Sequence, residues 1–384
     1  MTGPAPVRFL GSMAGIDAAS WNALAGDYPF MRHEFLAALE DTGCVTPTTG
    51  WTPHHLVIGE RAQPTVLAPL YEKAHSWGEF VFDFAWARAW ESRGLRYYPK
   101  LLLAIPFTPA SGPRLLCAAS GSAGEADRLA AVHAIAADAA ARGRSSAHAL
   151  FIDEPLRAAA EAAGWLLRRD CHFQWCNRGY RDFEDFLATF SADKRKKARR
   201  ERRRVAEQGI EFETRSGDQL DPGLLRDIHA LHAATFIRHG HEPYLSADFF
   251  CKVAAALKQA FIATLAWRAG ELVATAVYFR SHDTLYGRYW GAAGDYHSLH
   301  FEACYHQGIE YCIRHGLQRF EPGTQGEHKL ARGFEPVFTW SAHWLADRVL
   351  RDAVAQFLKR ETEAIGEYAD AAALHTPFRE RAVP

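Results

Sequence analysis

The strongest constraint in this chain is that its two halves finish in the same way. "ALFID…EAAGWLLRRDCHFQW" (149–175) and "QRFEP…LARGFEPVFTWSAHW" (318–344) both run strand, short helix, glycine-aromatic step, strand. A helix that must stop and turn sharply under a sheet needs a residue that takes the left-handed conformation freely, and Gly164 and Gly333 stand there. The preceding segments also correspond. "YYPKLLLAIPF" reads as a strand before the Ala-rich helix "EADRLAAVHAIAADAAARG", whose Leu129, Val132 and Ile135 share one face. "FIATLAWRAGELVATAVYFRSHDTLYGRYWG" reads as three antiparallel strands with tight turns at Ala269-Gly270 and His282-Asp283. The helix "LHFEACYHQGIEYCIRHG" follows and stops at Gly316. With 384 residues the chain is long for one domain. It divides into 1–178 and 179–384, the second carrying the proposed cleft and a basic helix.

Composition narrows the class. Hydrophobic residues make up 48% and charged residues 23%, as in globular proteins. "MTGPAPVRFLGSMAGID" lacks the basic start and apolar run of a signal peptide, and no segment approaches a membrane span. The seven scattered cysteines form no C-x-x-C pair, which fits a reducing, cytoplasmic compartment. The Ala- and Arg-rich usage points to a bacterium. "HGH" at 239–241 and "HH" at 54–55 lack a third ligand at useful spacing, so no metal is expected. The net charge of -1 conceals an asymmetry: "DKRKKARRERRR", from Asp193 to Arg204, holds nine basic residues and two acids. Lys194, Arg195, Arg199, Arg202 and Arg203 are its candidate polyanion contacts. A charge run is usually a solvated helix. Here the cations surround the helix and repel at i, i+4, so a polyanion such as an RNA backbone would relieve them.

The order of elements, α/β with antiparallel strands, long helix, strand, short helix and last strand, resembles an acetyltransferase (GNAT-like) fold, present twice in tandem. "SWGEFVFDFAWARAW", "YYPKLLLAIPFTPASGPRLL", "KRKKARRERR", "LYGRYWG", "LHFEACYHQGIEY" and "PGTQGEHKLARGF" resemble the bacterial FemAB-like group of N-acyltransferases over nearly the whole chain. That resemblance implies acyl transfer to an amine, with acyl-CoA or, as in related Fem enzymes, an aminoacyl-tRNA as donor. One stretch departs: "CHFQWCN" stands where the family usually shows Gln-Phe-His-Trp, so His172 is left out of the catalytic set.

Four stretches carry candidate chemistry. In "GTQGEHKLARGF" (323–334), an exposed helix is one reading and a site the other. Amine acylation needs a base for the ammonium proton and a donor for the carbonyl oxygen. His328 suits the first role, with Glu327 to orient it or act instead, and Lys329 or Arg332 to hold a phosphate. In "LYGRYWG", Tyr286, Arg288 and Trp290 alternate to one side of a strand, either as core packing or as a ligand platform. Arg288 either pairs with Glu302 or Glu321 or polarises a carbonyl. "LHFEACYHQG" opens the long helix, where His300 and Glu302 are candidates for catalysis, with capping and core packing the other reading for His300; the glycine-rich approach usual for coenzyme A is missing from "WGAAGDYHSLH". In "WGEFVFDFAW", Glu79 and Asp83 either form a structural network or hold a substrate ammonium, with Lys100 and Arg114 nearby.

These residues lead to an N-acyltransferase that moves an acyl or aminoacyl group directly to an amine, without a covalent intermediate. His328, Glu327 and Arg288 are the catalytic candidates. Glu79, Asp83, Lys100, Arg114, Tyr286, Trp290, Glu302, Lys329 and Arg332 are the binding candidates. The alternative is a non-catalytic RNA- or anionic-polymer-binding protein on a decayed acyltransferase fold.

Overall fold

A computed structural model describes residues 5–379 except Arg61, His239 and Gln325. Arg61 belongs to an expected turn, His239 to the "HGH" pair and Gln325 to the "GTQGEHKLARGF" stretch; all three lie outside the described residues. The chain forms two compact units. One comprises the chain up to Asp170 together with Phe338–Gly366; the other is Cys171–Val337 together with the chain from Glu367 onward. The sequence placed a single boundary at 178/179, whereas the units exchange C-terminal segments.

In the first unit "TVLAPLYEKAH" is two strands, Gln63–Ala68 and Leu70–Lys73, that enter different sheets. Pro69 separates them, and a proline has no N–H to continue a ladder. Gln63–Ala68 pairs with His55–Glu60 and Leu116–Cys117 in a small antiparallel sheet. Leu70–Lys73 pairs antiparallel with Lys100–Leu103, which in turn runs parallel to Ser146–Leu150. The crossover between those parallel strands contains the helix Gly121–Ala141. Its Ala131, Val132 and Ile135 are buried in a core with Leu101, Leu103, Ala147 and Ala149. Beyond Leu103 the chain stays buried through Ile105, Phe107 and Ala110, and Gly112 resumes parallel pairing at Ile152.

The second unit has the same plan. Ile210–Ser216, Phe261–Arg268, Glu271–Arg280 and Thr284–Ala292 form an antiparallel meander. The turn at Ala269-Gly270 has φ of 51° and 83°, the doubly left-handed pair that suits a tight hairpin. Thr284–Ala292 then runs parallel to Arg319–Glu321 across a long crossover helix. Its own Ile309 and Cys312 are buried in one core with Phe320 and Phe334.

Each sheet takes its last strand from the other half of the sequence. Trp175 and Cys176 pair with Phe320 and Arg319, while Ser341–Leu345 pairs with Ser146–Leu150. The sequence predicts both last strands but has each half closing its own sheet. The hydrophobic pattern is alike in both last strands, so it does not say which sheet each one joins. A 26-residue helix, Arg348–Ala373, follows the final strand.

Candidate active site

In the second unit the parallel pair runs Thr284↔Arg319, Leu285↔Phe320, Tyr286↔Glu321 and stops. One strand continues to Ala292, while the other breaks off at Pro322, so the two part. On the opposite edge the register passes from Val277↔Tyr289 to Tyr278↔Gly287. Arg288 is therefore the extra residue of a β-bulge, a feature that re-aims side chains and is frequent beside active sites. The bulge also breaks the simple alternation expected for Tyr286, Arg288 and Trp290.

The crossover helix changes pitch beside this fork. Leu299–Phe301 is α-helical, Glu302–His306 is a π segment, and Gln307–His315 returns to α. Such wide turns are frequent at functional sites. The π segment contains Tyr305, whose hydroxyl lies 2.8 Å from Nε2 of His328. His328 stands on a short 3₁₀ helix, Glu327–Arg332, framed by two glycines. At Gly326, φ 112°, a Cβ would fall 2.0 Å from the His328 ring. At Gly333, φ 87°, it would fall 2.6 Å from Phe186. The rings of Phe301 and His300 lie 5.5 and 6.1 Å from that of His328, and Trp290 stands edge-on to His300 at 5.2 Å. The site is thus a cluster of aromatic rings with an exposed imidazole.

Electrostatics keep these groups in their uncharged forms. Burial, then the cations of Lys329 and Arg332, push the His328 pKa below its usual value. Burial, then His328, Arg332 and Lys329, bring His300 down to about 4. Burial raises the Tyr305 phenol. The neutral imidazole, with one bare ring nitrogen, is therefore favoured, and the phenol keeps its proton.

Lys329 and Arg332 turn inward, away from any phosphate. Lys329 is 2% exposed, donates 2.7 Å to the Gly323 carbonyl, and burial lowers its pKa to about 7. Arg332 makes two bonds of 3.0 and 2.9 Å to the Glu201 carboxylate and donates 2.6 Å to the His328 carbonyl. Its guanidinium also lies 3.5 Å over the Phe301 ring. Its role is to fix the turn carrying His328. Glu327 is exposed and accepts from the Tyr368 hydroxyl at 3.1 Å rather than orienting His328.

Glu302 is likewise internal. It accepts from Gln307 at 2.7 Å and Arg202 at 3.1 Å and lies 3.0 Å from His306 Nδ1. Burial alone would raise its pKa, but His306, Arg202 and Gln307 outweigh that and bring it to about 2. The basic helix Ala192–Glu207 supplies both anchors, Glu201 to Arg332 and Arg202 to Glu302 and Glu310. Arg202 is thus engaged by Glu302 and Glu310. Arg195 is half-buried, whereas Lys194, Arg199 and Arg203 are exposed, the last two beside Glu184 and Glu207. The sequence reading missed Tyr305, Phe301, Glu201 and His306. Only the choice of a carboxylate inside a basic run hinted at Glu201.

In the first unit Glu79 and Asp83 do hold an ammonium, but it belongs to Lys100. Its Nζ donates to Glu79 at 2.8 Å, Asp83 at 2.6 Å and Ser76 at 2.8 Å. All four residues are buried. Arg114, fully buried, donates to the carbonyls of Ala110, Gly112 and Pro113 and staples its own loop. The partners the structure shows for Glu79, Asp83, Lys100 and Arg114 are thus one another, Ser76 and loop carbonyls. Among the described residues no group of three potential metal ligands converges, and no helix is long and apolar enough to cross a membrane.

Two sheets of one plan, each with a parallel pair reached through a crossover helix, define a tandem acetyltransferase-like α/β protein. The chain belongs to the FemAB-like family, described as peptidoglycan biosynthesis/recognition, which it matches over residues 12–380. Among solved structures it is similar to the C-terminal domain of a protein described as a lysylphosphatidylglycerol synthetase from Agrobacterium fabrum. The TM-score is 0.51 at 11% identity, covering 91% of this chain and 97% of that one. A conserved protein of unknown function from Bacteroides thetaiotaomicron aligns with TM-score 0.50 and 12% identity, over 89% and 100% of the two chains. FemX aligns with TM-score 0.49 and 10% identity, over 80% and 92%. No curated protein matches the chain by sequence.

Proposed function

We propose that this chain is an N-acyltransferase that moves an aminoacyl group from an aminoacyl-tRNA to an amine, with the reaction at the fork of the second unit. The observation that carries the reading is the Tyr305–His328 pair, 2.8 Å apart beside parted strands. The acceptor's ammonium gives one proton to the Tyr305 oxygen as that hydroxyl passes its own to Nε2 of His328. The freed nitrogen attacks the ester carbonyl, the C–N bond forms, and the ester C–O bond breaks. The leaving ribose oxygen takes a proton back from the same pair, and the second ammonium proton goes to solvent. Arg288, at the bulge, is assigned to the carbonyl oxygen, and exposed Glu327 to the incoming ammonium.

Two features favour tRNA over acyl-CoA as donor. The basic helix that anchors the site through Glu201 and Arg202 presents Lys194, Lys196, Lys197, Arg199, Arg200 and Arg203 outward, suited to an RNA backbone. The turn before the crossover helix, "WGAAGDYHSLH", lacks the glycine-rich approach usual for coenzyme A. The resemblance to Fem enzymes points the same way, and a cytoplasmic location goes with such a donor. The test offers the protein a mixture of charged tRNAs and, separately, acyl-CoAs, with a panel of amines, and identifies amide products by mass spectrometry. Products from acyl-CoA alone would exchange the donor. Polyanion binding with no product from either would favour the non-catalytic alternative.

A further inference from the structure

The loop Ser76–Asp83 of the first unit is built inside out. Its polar residues point inward: Ser76, Glu79 and Asp83 are 0, 4 and 3% exposed and converge on the buried Lys100 ammonium. Its large apolar residues point outward, with Trp77 53% and Phe82 43% exposed. This reverses the ordinary distribution of side chains in a loop. The backbone of both aromatics is pinned. Lys73 donates to the Trp77 carbonyl at 3.2 Å, and Arg168 donates to the Phe82 carbonyl at 2.9 Å. Between them Phe80 takes φ 64°, a left-handed conformation that a bulky residue adopts only when its surroundings enforce it. Ring contacts tie the tips together, Phe82 stacked on Phe84 at 5.4 Å and Trp77 against Phe84 at 5.3 Å. The loop thus buries an ion cluster and leaves two aromatic side chains in water.

The chain leaving this loop continues the pattern. The helix Phe84–Glu91 and its following turn expose Leu95 at 39%, together with Arg88, Arg93 and Arg96 against one acid, Glu91. We propose that this segment, residues 76–96, docks on the surface of an anionic phospholipid bilayer. Trp77, Phe82 and Leu95 would seat at headgroup depth, and the three arginines would pair with lipid phosphates. Aromatic side chains favour that depth, and arginine matches phosphate in geometry. Three projecting tips supply far less than the roughly 800 Å² per partner of a stable protein interface. A few apolar tips with a positive rim do suffice for reversible attachment to a charged membrane. The attachment is peripheral and needs no spanning helix.

The experiment is co-sedimentation of the full chain with phosphatidylcholine vesicles, with and without phosphatidylglycerol. The wild type binds the mixed vesicles and binds pure phosphatidylcholine weakly. Trp77→Ser with Phe82→Ser lowers binding to mixed vesicles at least tenfold, with unchanged thermal unfolding. Arg93→Glu with Arg96→Glu lowers it by about fivefold per residue, toward the phosphatidylcholine value. Reversal of Lys194, Arg199 and Arg203 on the basic helix leaves vesicle binding largely intact. Vesicle binding that survives the Trp77/Phe82 change, or that only the basic-helix reversal removes, would overturn the proposal. So would sedimentation velocity showing that the Trp77/Phe82 change abolishes self-association, since the tips would then cover a second copy.

Discussion

A base that takes a proton from an ammonium must itself be neutral at working pH. Burial, then Lys329 and Arg332, hold His328 below its ordinary value, so its neutral form persists into mild acid. Transfer should be full above the His328 pKa and fall below it. Because that pKa is lowered, the acid limb of kcat/KM should lie below pH 6.5, the unperturbed imidazole value. A pH-rate profile already falling at neutral pH would contradict the assignment. In the first unit Lys100 is the cation of a buried cluster with Glu79, Asp83 and Ser76. Lys100→Met would leave Asp83 and Glu79 buried without their cation and should cost about 3–5 kcal/mol by chemical denaturation. Adding Asp83→Asn and Glu79→Gln should recover much of that loss. The sequence showed which residue types were unusual but not which way they face. His328 and Arg332 sit in one short stretch, yet one is exposed and the other buried against Glu201. Burial depends on a helix more than a hundred residues away, which local pattern does not report.

At the scale of elements, the basic helix has two faces with different work. Charge reversal of Lys194, Arg199 and Arg203 should flatten the dependence of log affinity for RNA on log salt, by roughly one unit of slope per lost phosphate contact, with folding intact. Arg202→Ala should instead destabilise the fold, by about 3 kcal/mol, because Glu302 would keep its burial and lose its guanidinium. Thermal unfolding beside filter binding separates the two. The helix itself was legible from its run of helix formers and its stop at Gly209, and so was the meander from its two turns. The π segment was not. "LHFEACYHQGIEY" reads as an ordinary amphipathic helix, and the added residue of a π turn leaves no mark on hydrophobic spacing over so few positions. The 3₁₀ form of Glu327–Arg332 was hidden in the same way.

On the scale of the whole molecule, the exchanged last strands make the halves interdependent. Fragments 1–178 and 179–384 each lack the strand that closes their own sheet. Expressed alone, each should be largely unfolded or aggregated by circular dichroism and size-exclusion chromatography, whereas co-expression should restore a native pair. Two separately stable fragments would contradict this reading of the topology. The tandem plan was visible in the sequence as a repeated order of elements, while the exchange was not, because order along the chain does not fix pairing between distant strands. The central claim is that transfer takes place at the fork of the second unit through Tyr305 and His328. Single-turnover transfer from charged tRNA, measured beside thermal unfolding for the wild type, His328→Ala and Tyr305→Phe, tests it most directly. The account predicts a loss of about a hundredfold or more for His328→Ala, a comparable loss for Tyr305→Phe, and little change in unfolding temperature for His328→Ala. Full transfer by both variants would contradict it.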